Sequence, residues 1–268
     1  MIPYPEINPI ALDLGPIQIH WYGIAYLLSF VVGWRLVVIR TKQDWSPIKK
    51  EQAEDLIFYT ALGVILGGRI GYVFFYGFDR FLENPLWLLK IWEGGMSFHG
   101  GFLGVCAALV LFARRNKIPF WPVIDLIAIV TPIGLGLGRL GNFIGQELWG
   151  RPTDSVWGMV FPKDPLQLPR HASQLYEFAL EGVLLFMLLW ILSAKQRPIG
   201  FISGVFLLEY GMSRFLVEFV REPDAHLADS LLFGWMTRGQ QLSLPMVVAG
   251  IIMIIYVIRA KNNVLAKF

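Results

Sequence analysis

Seven runs of mostly apolar residues, each close to the length of a bilayer crossing, constrain this chain more than anything else in it. They cover 17–39, 56–78, 95–113, 123–143, 175–192, 199–220 and 244–258. A helix needs about twenty such residues to span the hydrocarbon. Charged residues make up 16% of the chain and hydrophobic ones 55%, where a soluble domain carries roughly 25% charged. The expected fold is all-α: a polytopic membrane protein with about seven transmembrane helices. Ten Trp and twenty Phe suit aromatic belts at the two interfaces.

Lys and Arg set the orientation. Arg40, Lys42, Lys49 and Lys50 follow the first run, and Arg114, Arg115 and Lys117 follow the third. Lys195 and Arg197 follow the fifth, and Arg259, Lys261 and Lys267 the seventh. That places twelve bases on one side against seven on the other, with Arg35, Arg69, Arg139 and Arg214 inside the runs. The N-terminus is expected outside and the C-terminus in the cytoplasm. The whole chain, 1–268, reads as one integral membrane domain. Its outer-face loops, about 77–94, 144–174 and 221–243, are expected to form a small head. The N-terminus has neither the basic segment nor the cleavage site of a signal peptide. No internal repeat is visible.

A net charge of +3 gives no footing for nucleic acid, and the bases serve topology instead. The single cysteine, Cys106, excludes a disulfide within the chain. A thiol in an apolar run is inert, which removes Cys106 as a nucleophile. Four scattered histidines offer no metal-ligand pair, so no metal or other cofactor is expected.

Against this background the charges inside the apolar runs stand out, because each costs about 2.5–3.5 kcal/mol at the bilayer centre on insertion scales. Arg139, Asn142 and Gln146 fall at i, i+3 and i+7, one helix face. An Arg can grip a phosphate with two parallel bonds. The reading in which Arg139 forms a structural ion pair with Glu147 weighs equally on this spacing alone. Tyr210, Arg214, Glu218 and Arg221 form a second stripe, with an Arg214–Glu218 pair expected. His99 sits between two glycine pairs, and its type titrates near pH 6.5. Tyr22 is either an interface anchor or a hydroxyl donor. Arg69 is either a third cation or a snorkelling side chain. His171, Ser173, Gln174, Glu177 and Glu181 line a helix start.

The motifs, in order, are His20-Trp21-Tyr22-Gly23, Gly67-Gly68-Arg69-Ile70-Gly71-Tyr72 and Gly94-Gly95-Met96-Ser97-Phe98-His99-Gly100-Gly101. After them come Gly138-Arg139-Leu140-Gly141-Asn142-Phe143 with Gln146-Glu147-Leu148-Trp149-Gly150, then Arg170-His171-Ala172-Ser173-Gln174-Leu175-Tyr176-Glu177 and Val217-Glu218-Phe219. Together they resemble the bacterial prolipoprotein diacylglyceryl transferases over nearly the whole chain.

The resemblance implies a multi-pass enzyme of the bacterial cytoplasmic (inner) membrane with its active site towards the outer leaflet. Its substrates would be phosphatidylglycerol and a preprolipoprotein whose signal peptide carries a lipobox cysteine. The nucleophilic thiol then belongs to the substrate, which agrees with the single inert cysteine. On this reading His99, Arg139 and Arg214 are catalytic, His99 as general base and the arginines on the phosphate. Tyr22 and Asn142 position the glyceryl portion, and Glu147 and Glu218 orient the arginines. Gly150 allows a close backbone approach, and Arg69 belongs to the substrate-binding set. Two other classes fit parts of the pattern. A transporter or flippase would also use intramembrane arginines but calls for internal symmetry. An intramembrane protease needs a Ser–His or Asp pair, and Asp125 is the only Asp in a helix core.

Overall fold

The computed structural model describes residues 2–15, 18–223 and 231–265, with side chains to residue 260. The start of the first run at Ile17, residues 224–230 of the third outer loop, and the Lys261 and Lys267 side chains lie outside the described residues. The helices are α1 (Trp21–Arg40), α2 (Gln52–Tyr76), α3 (Phe78–Glu83), α4 (Phe98–Asn116), α5 (Phe120–Gly145), α6 (Ser173–Glu177), α7 (Leu185–Leu192), α8 (Phe201–Val217) and α9 (Arg238–Leu265). A π turn over Phe178–Leu184 joins α6 to α7 into one helix.

Six of these helices are long and apolar enough to cross a membrane, so this is an all-α multi-pass membrane protein. The expected run 199–220 forms α8, only 17 residues long and interrupted by Glu209 and Arg214. At 1.5 Å per residue α8 reaches about 26 Å, just under the roughly 30 Å of hydrocarbon. Large apolar side chains face outward along the helices, among them Phe58, Leu103, Ile191, Ile252 and Tyr256. In water such a surface would be an association site; in lipid it is solvated.

The chain packs as two compact units, Trp34–Leu126 and the remainder, Met1–Gly33 with Ile127–Phe268. In the first, α2 and α4 meet along glycines. A Cβ on Gly63 would lie 2.7 Å from the Gly104 carbonyl oxygen, and one on Gly71 2.7 Å from Gly100 Cα. Backbone-to-backbone contact of this kind is how helices associate where no water drives them together. Ser97 caps α4 by accepting from the Gly100 N–H at 3.2 Å. Lys117 ends it in the left-handed region, after Arg114 and Arg115 in its last turn, where cations meet the negative end of the helix.

In the second unit α8 packs on α9, where a Cβ on Gly250 would reach 2.6 Å from the Leu208 amide nitrogen. Gly136 of α5 meets Gly182 of the π turn in the same way. Beyond α5 the chain builds a small aromatic core from Tyr4, Phe143, Met159, Phe161 and Ala172, with Trp149 and Leu175 against it. The Tyr4 hydroxyl caps the end of α5, 3.0 Å from the Phe143 carbonyl oxygen, satisfying an acceptor that the helix leaves open. Two short ladders also occur. Strands β1 (Ile2–Pro3), β4 (Met159–Val160) and β5 (Pro169–Arg170) form one, and β2 (Ile10–Asp13) pairs with β3 (Gln18–His20) in the other. The apolar runs gave no hint of them, because two- to four-residue strands carry no periodicity.

Candidate active site

Arg139, near the end of α5, does not pair with Glu147. Its Nε lies 3.2 Å from Glu177 Oε2 and its Nη2 3.2 Å from Glu181 Oε2. Both acids project from the helix that begins at Ser173, and both are fully buried. The π turn that follows Glu177 and carries Glu181 is a widened segment of a kind that recurs at functional sites. Glu177 is shared. Its Oε1 accepts from Arg214 Nη1 at 2.6 Å and lies 3.9 Å from Arg221 Nε. Arg214 also pairs with Glu218, the pair expected from their i, i+4 spacing. Glu218 in turn meets Arg221 at 3.4 Å and accepts from the Thr237 hydroxyl at 2.5 Å. Three bases and three acids from α5, α6, the π turn and the end of α8 thus form one network.

The network is not uniformly buried. Glu177 and Glu181 side chains are fully hidden and Glu218 is 3% exposed, whereas Arg139 keeps 18% and Arg214 15% exposure. The carboxylates hold the guanidiniums in place, while part of each arginine side chain remains open. An anion could reach it there and gain charge-assisted bonds in a low-dielectric site.

The other expected residues distribute as follows. Asn142 is buried one turn beyond Arg139. Gln146 leaves the expected stripe, because α5 stops at Gly145 and Gln146 has φ 55°. Its side chain accepts from the Lys163 amide at 2.8 Å instead. Glu147 is exposed. Its carbonyl accepts from Gln174 at 2.7 Å, while Ser173 donates to Leu148 O at 3.0 Å. Those two polar residues therefore brace the turn, in which Leu148 also has positive φ. Gly150 crosses tightly between two chain segments, donating to His171 O at 2.8 Å. A Cβ there would lie 2.5 Å from the Val220 oxygen. Tyr22 packs on Gly141 of α5, its hydroxyl 3.2 Å from that of Tyr26. Its phenol lies within electrostatic reach of both Arg139 and Glu147.

Arg69 and His99 belong to the other unit. Arg69 is buried and committed to the chain. It donates to the carbonyls of Leu88 at 3.1 Å, Trp87 at 2.6 Å and Gly94 at 2.5 Å, with its guanidinium 4.7 Å above the Trp87 ring. It clamps the loop that leads to His99. Glu93 in that loop would be raised by desolvation, but the Trp87 indole and the charges of Arg80 and Lys90 hold it below the usual carboxylate range. His99 lies in the first turn of α4, exposed, its ring edge-on to Phe98 at 5.6 Å and without a hydrogen bond among the described residues. It is open to a partner from outside the chain.

Glu177, Glu181 and Arg221 are the parts of this cluster that sequence reasoning undervalued. The signal was present: acids four apart at the head of an apolar run flag a functional site in a membrane. Among the described residues no group of three potential metal ligands occurs.

Fold and site together define a multi-pass helical membrane protein that holds paired, partly open arginines on buried carboxylates. A family model described as prolipoprotein diacylglyceryl transferase matches residues 9–256. A protein of Marinomonas sp. (strain MWYL1) named phosphatidylglycerol–prolipoprotein diacylglyceryl transferase is 58% identical over 253 residues, 93% of either chain. Proteins of the same name from Teredinibacter turnerae and Pseudomonas putida KT2440 are 53% and 52% identical. They cover 97% and 95% of this chain and 93% and 95% of their own. The chain belongs to the prolipoprotein diacylglyceryl transferase family.

Proposed function

We propose that this chain transfers the diacylglyceryl group of phosphatidylglycerol to the lipobox cysteine of preprolipoproteins, the first step of lipoprotein maturation. The observation that carries this reading is the sharing of Glu177 by Arg139 and Arg214, each with a partly exposed side chain. The substrate thiolate attacks the glyceryl carbon that bears the phosphate. A C–S thioether bond forms and the C–O bond breaks. Glycerol 1-phosphate leaves with the bonding electrons, and the thiol proton goes to His99. A free thiol titrates near 8.5, so a positioned base accelerates the step.

Arg139 and Arg214 bind the phosphate and stabilise the charge that grows on the leaving oxygen. Asn142 and Tyr22 position the glyceryl portion. Glu177 and Glu218 hold the two arginines, and Glu147 acts at the rim beside Tyr22. Arg69 supports the site through the loop before His99, and Gly150 through the tight crossing it permits. The whole chain acts as one enzyme of the bacterial inner membrane, with this site towards the outer leaflet and its outer loops meeting the signal peptide. No cofactor takes part.

The test is release of glycerol phosphate from phosphatidylglycerol by purified protein in detergent, dependent on a lipobox peptide. Arg139→Lys should lose most of this release, because a point charge cannot reproduce a two-bond grip. Full release by Arg139→Lys would contradict the phosphate assignment.

A further inference from the structure

We propose that Glu181 is the counter-ion that the lipid phosphate displaces from Arg139, and that Glu181 takes up a proton as the headgroup binds. This rests on the reading of Arg139 and Arg214 as phosphate-binding groups. Among the three acids of the network, Glu181 is the least secured. Glu177 contacts Arg214 at 2.6 Å, Arg139 at 3.2 Å and Arg221 at 3.9 Å. Glu218 has Arg214, Arg221 and the Thr237 hydroxyl. Glu181 has Arg139 alone, at 3.2 Å from Nη2 and 3.4 Å from Nε, and both contacts use Oε2. Its Oε1 is buried with no hydrogen-bond partner among the described residues, as is Glu177 Oε2. Glu177 keeps Arg214 on its other oxygen, whereas Glu181 Oε1 faces no cation within ion-pair distance among those residues.

The groups facing Glu181 are Arg139 from α5, Glu177 on its own helix, and Glu209, Tyr210 and Arg214 from α8. Acids therefore lie on both sides of it. Glu209 accepts from Ser213 at 2.8 Å, and its second oxygen is likewise buried without a hydrogen bond.

Charge bookkeeping gives the rest. Arg139, Arg214 and Arg221 against ionised Glu177, Glu181 and Glu218 sum to zero. Glu209, whose hydrogen bond comes from the neutral Ser213, adds no positive charge, so no surplus is left for a phosphodiester. A lipid phosphate adds one negative charge to a site where unbalanced charge is costly. One proton on Glu181 restores neutrality, since a protonated carboxyl needs no counter-charge. It also removes one of the two carboxylates on the Nε–Nη2 edge of Arg139 and so releases Nη2 for a charge-assisted bond to the phosphate. The proton comes from solvent and returns there when the anion leaves.

The experiment is a binding titration of the full chain in detergent with phosphatidylglycerol, and with neutral diacylglycerol as the comparison, from about pH 6 to about pH 8. The wild-type Kd for phosphatidylglycerol should rise with pH, by up to about tenfold per unit, the slope of one linked proton. Glu181→Gln should bind more tightly at the upper pH with a flat profile. Glu181→Asp should keep the slope, and diacylglycerol should show none. A flat wild-type profile, or a slope that survives in Glu181→Gln and so traces to another group such as Glu209 or His99, would overturn the inference. Should Glu181→Gln fail to fold, calorimetry on the His99→Gln chain in two buffers of different ionisation heat counts the protons. One proton per lipid supports the proposal and none overturns it. Binding with this slope but no transfer to peptide would sink the transfer reading alone. Transfer with a flat slope would sink this inference alone.

Discussion

Arg214 donates to Glu177 at 2.6 Å, and the two come from different helices, α8 and α6. Since Glu177 also faces Arg139 and Arg221, one carboxylate ties three cations. Glu177→Ala should leave three cations facing two acids, Glu181 and Glu218, and the uncompensated buried charge should cost about 3–5 kcal/mol. Thermal unfolding in detergent reads this directly. A variant with an unchanged midpoint would show that the network does not hold the helices together.

Gly141 and Gly138 make a matched pair of substitutions. A Cβ on Gly141 would come within 2.6 Å of the Tyr22 ring, whereas one on Gly138 meets nothing within 4 Å. Gly141→Ala should cost about 1–3 kcal/mol through overpacking, and it should lower activity by displacing Tyr22. Gly138→Ala should be neutral or gain up to about 1 kcal/mol of helix propensity. Melting curves and turnover of both variants check the contrast.

Much of this was legible in the chain. The spans follow from apolar length, and Arg139, Arg214 and His99 stood out as polar groups in apolar or glycine-rich surroundings. The Arg214–Glu218 pair followed from helical spacing. The partner of Arg139 did not, because Glu147 is near in sequence while Glu177 and Glu181 are near in space. Spacing along one helix cannot see an acid on another. Gln146 was misplaced because α5 ends one residue earlier, at Gly145, in a turn with positive φ. Arg69 read as either a third cation or a snorkelling side chain. The carbonyls that occupy it come from a loop some twenty residues on, which no local pattern reveals.

Asp164 and Arg170 form a buried fork in the loop beyond α5, with contacts of 2.6 and 3.2 Å. The Arg170 hydrogen bond, against opposing desolvation, holds the Asp164 carboxyl below the usual range. A depressed carboxylate stabilises the fold above its unfolded pKa, about 3.9. That contribution is lost as pH falls through the folded value. The wild type should therefore melt higher than Asp164→Asn at neutral pH, and the gap should close as the medium is acidified below about pH 4. A gap that widens in acid would reverse the assignment.

His99 is exposed and Arg69 is buried, so the two should fail differently. His99→Ala should keep its melting temperature and lose about 10²–10⁴-fold in turnover, the range for a general base. Arg69→Lys supplies one ammonium where a planar fork served three carbonyls, and it should open the 85–95 loop to proteolysis. Near-normal turnover by His99→Ala would remove the base from the mechanism.

The central claim is transfer of a diacylglyceryl group to a cysteine thiol. Mass spectrometry of a lipobox peptide, after incubation with the purified chain and phosphatidylglycerol, tests it most directly, beside the same peptide with Ser for Cys. A gain of one diacylglyceryl unit on the Cys peptide alone is the expected result. No gain on either peptide, with phosphatidylglycerol bound, would contradict the account and leave Arg139 and Arg214 as a lipid-binding site without this chemistry.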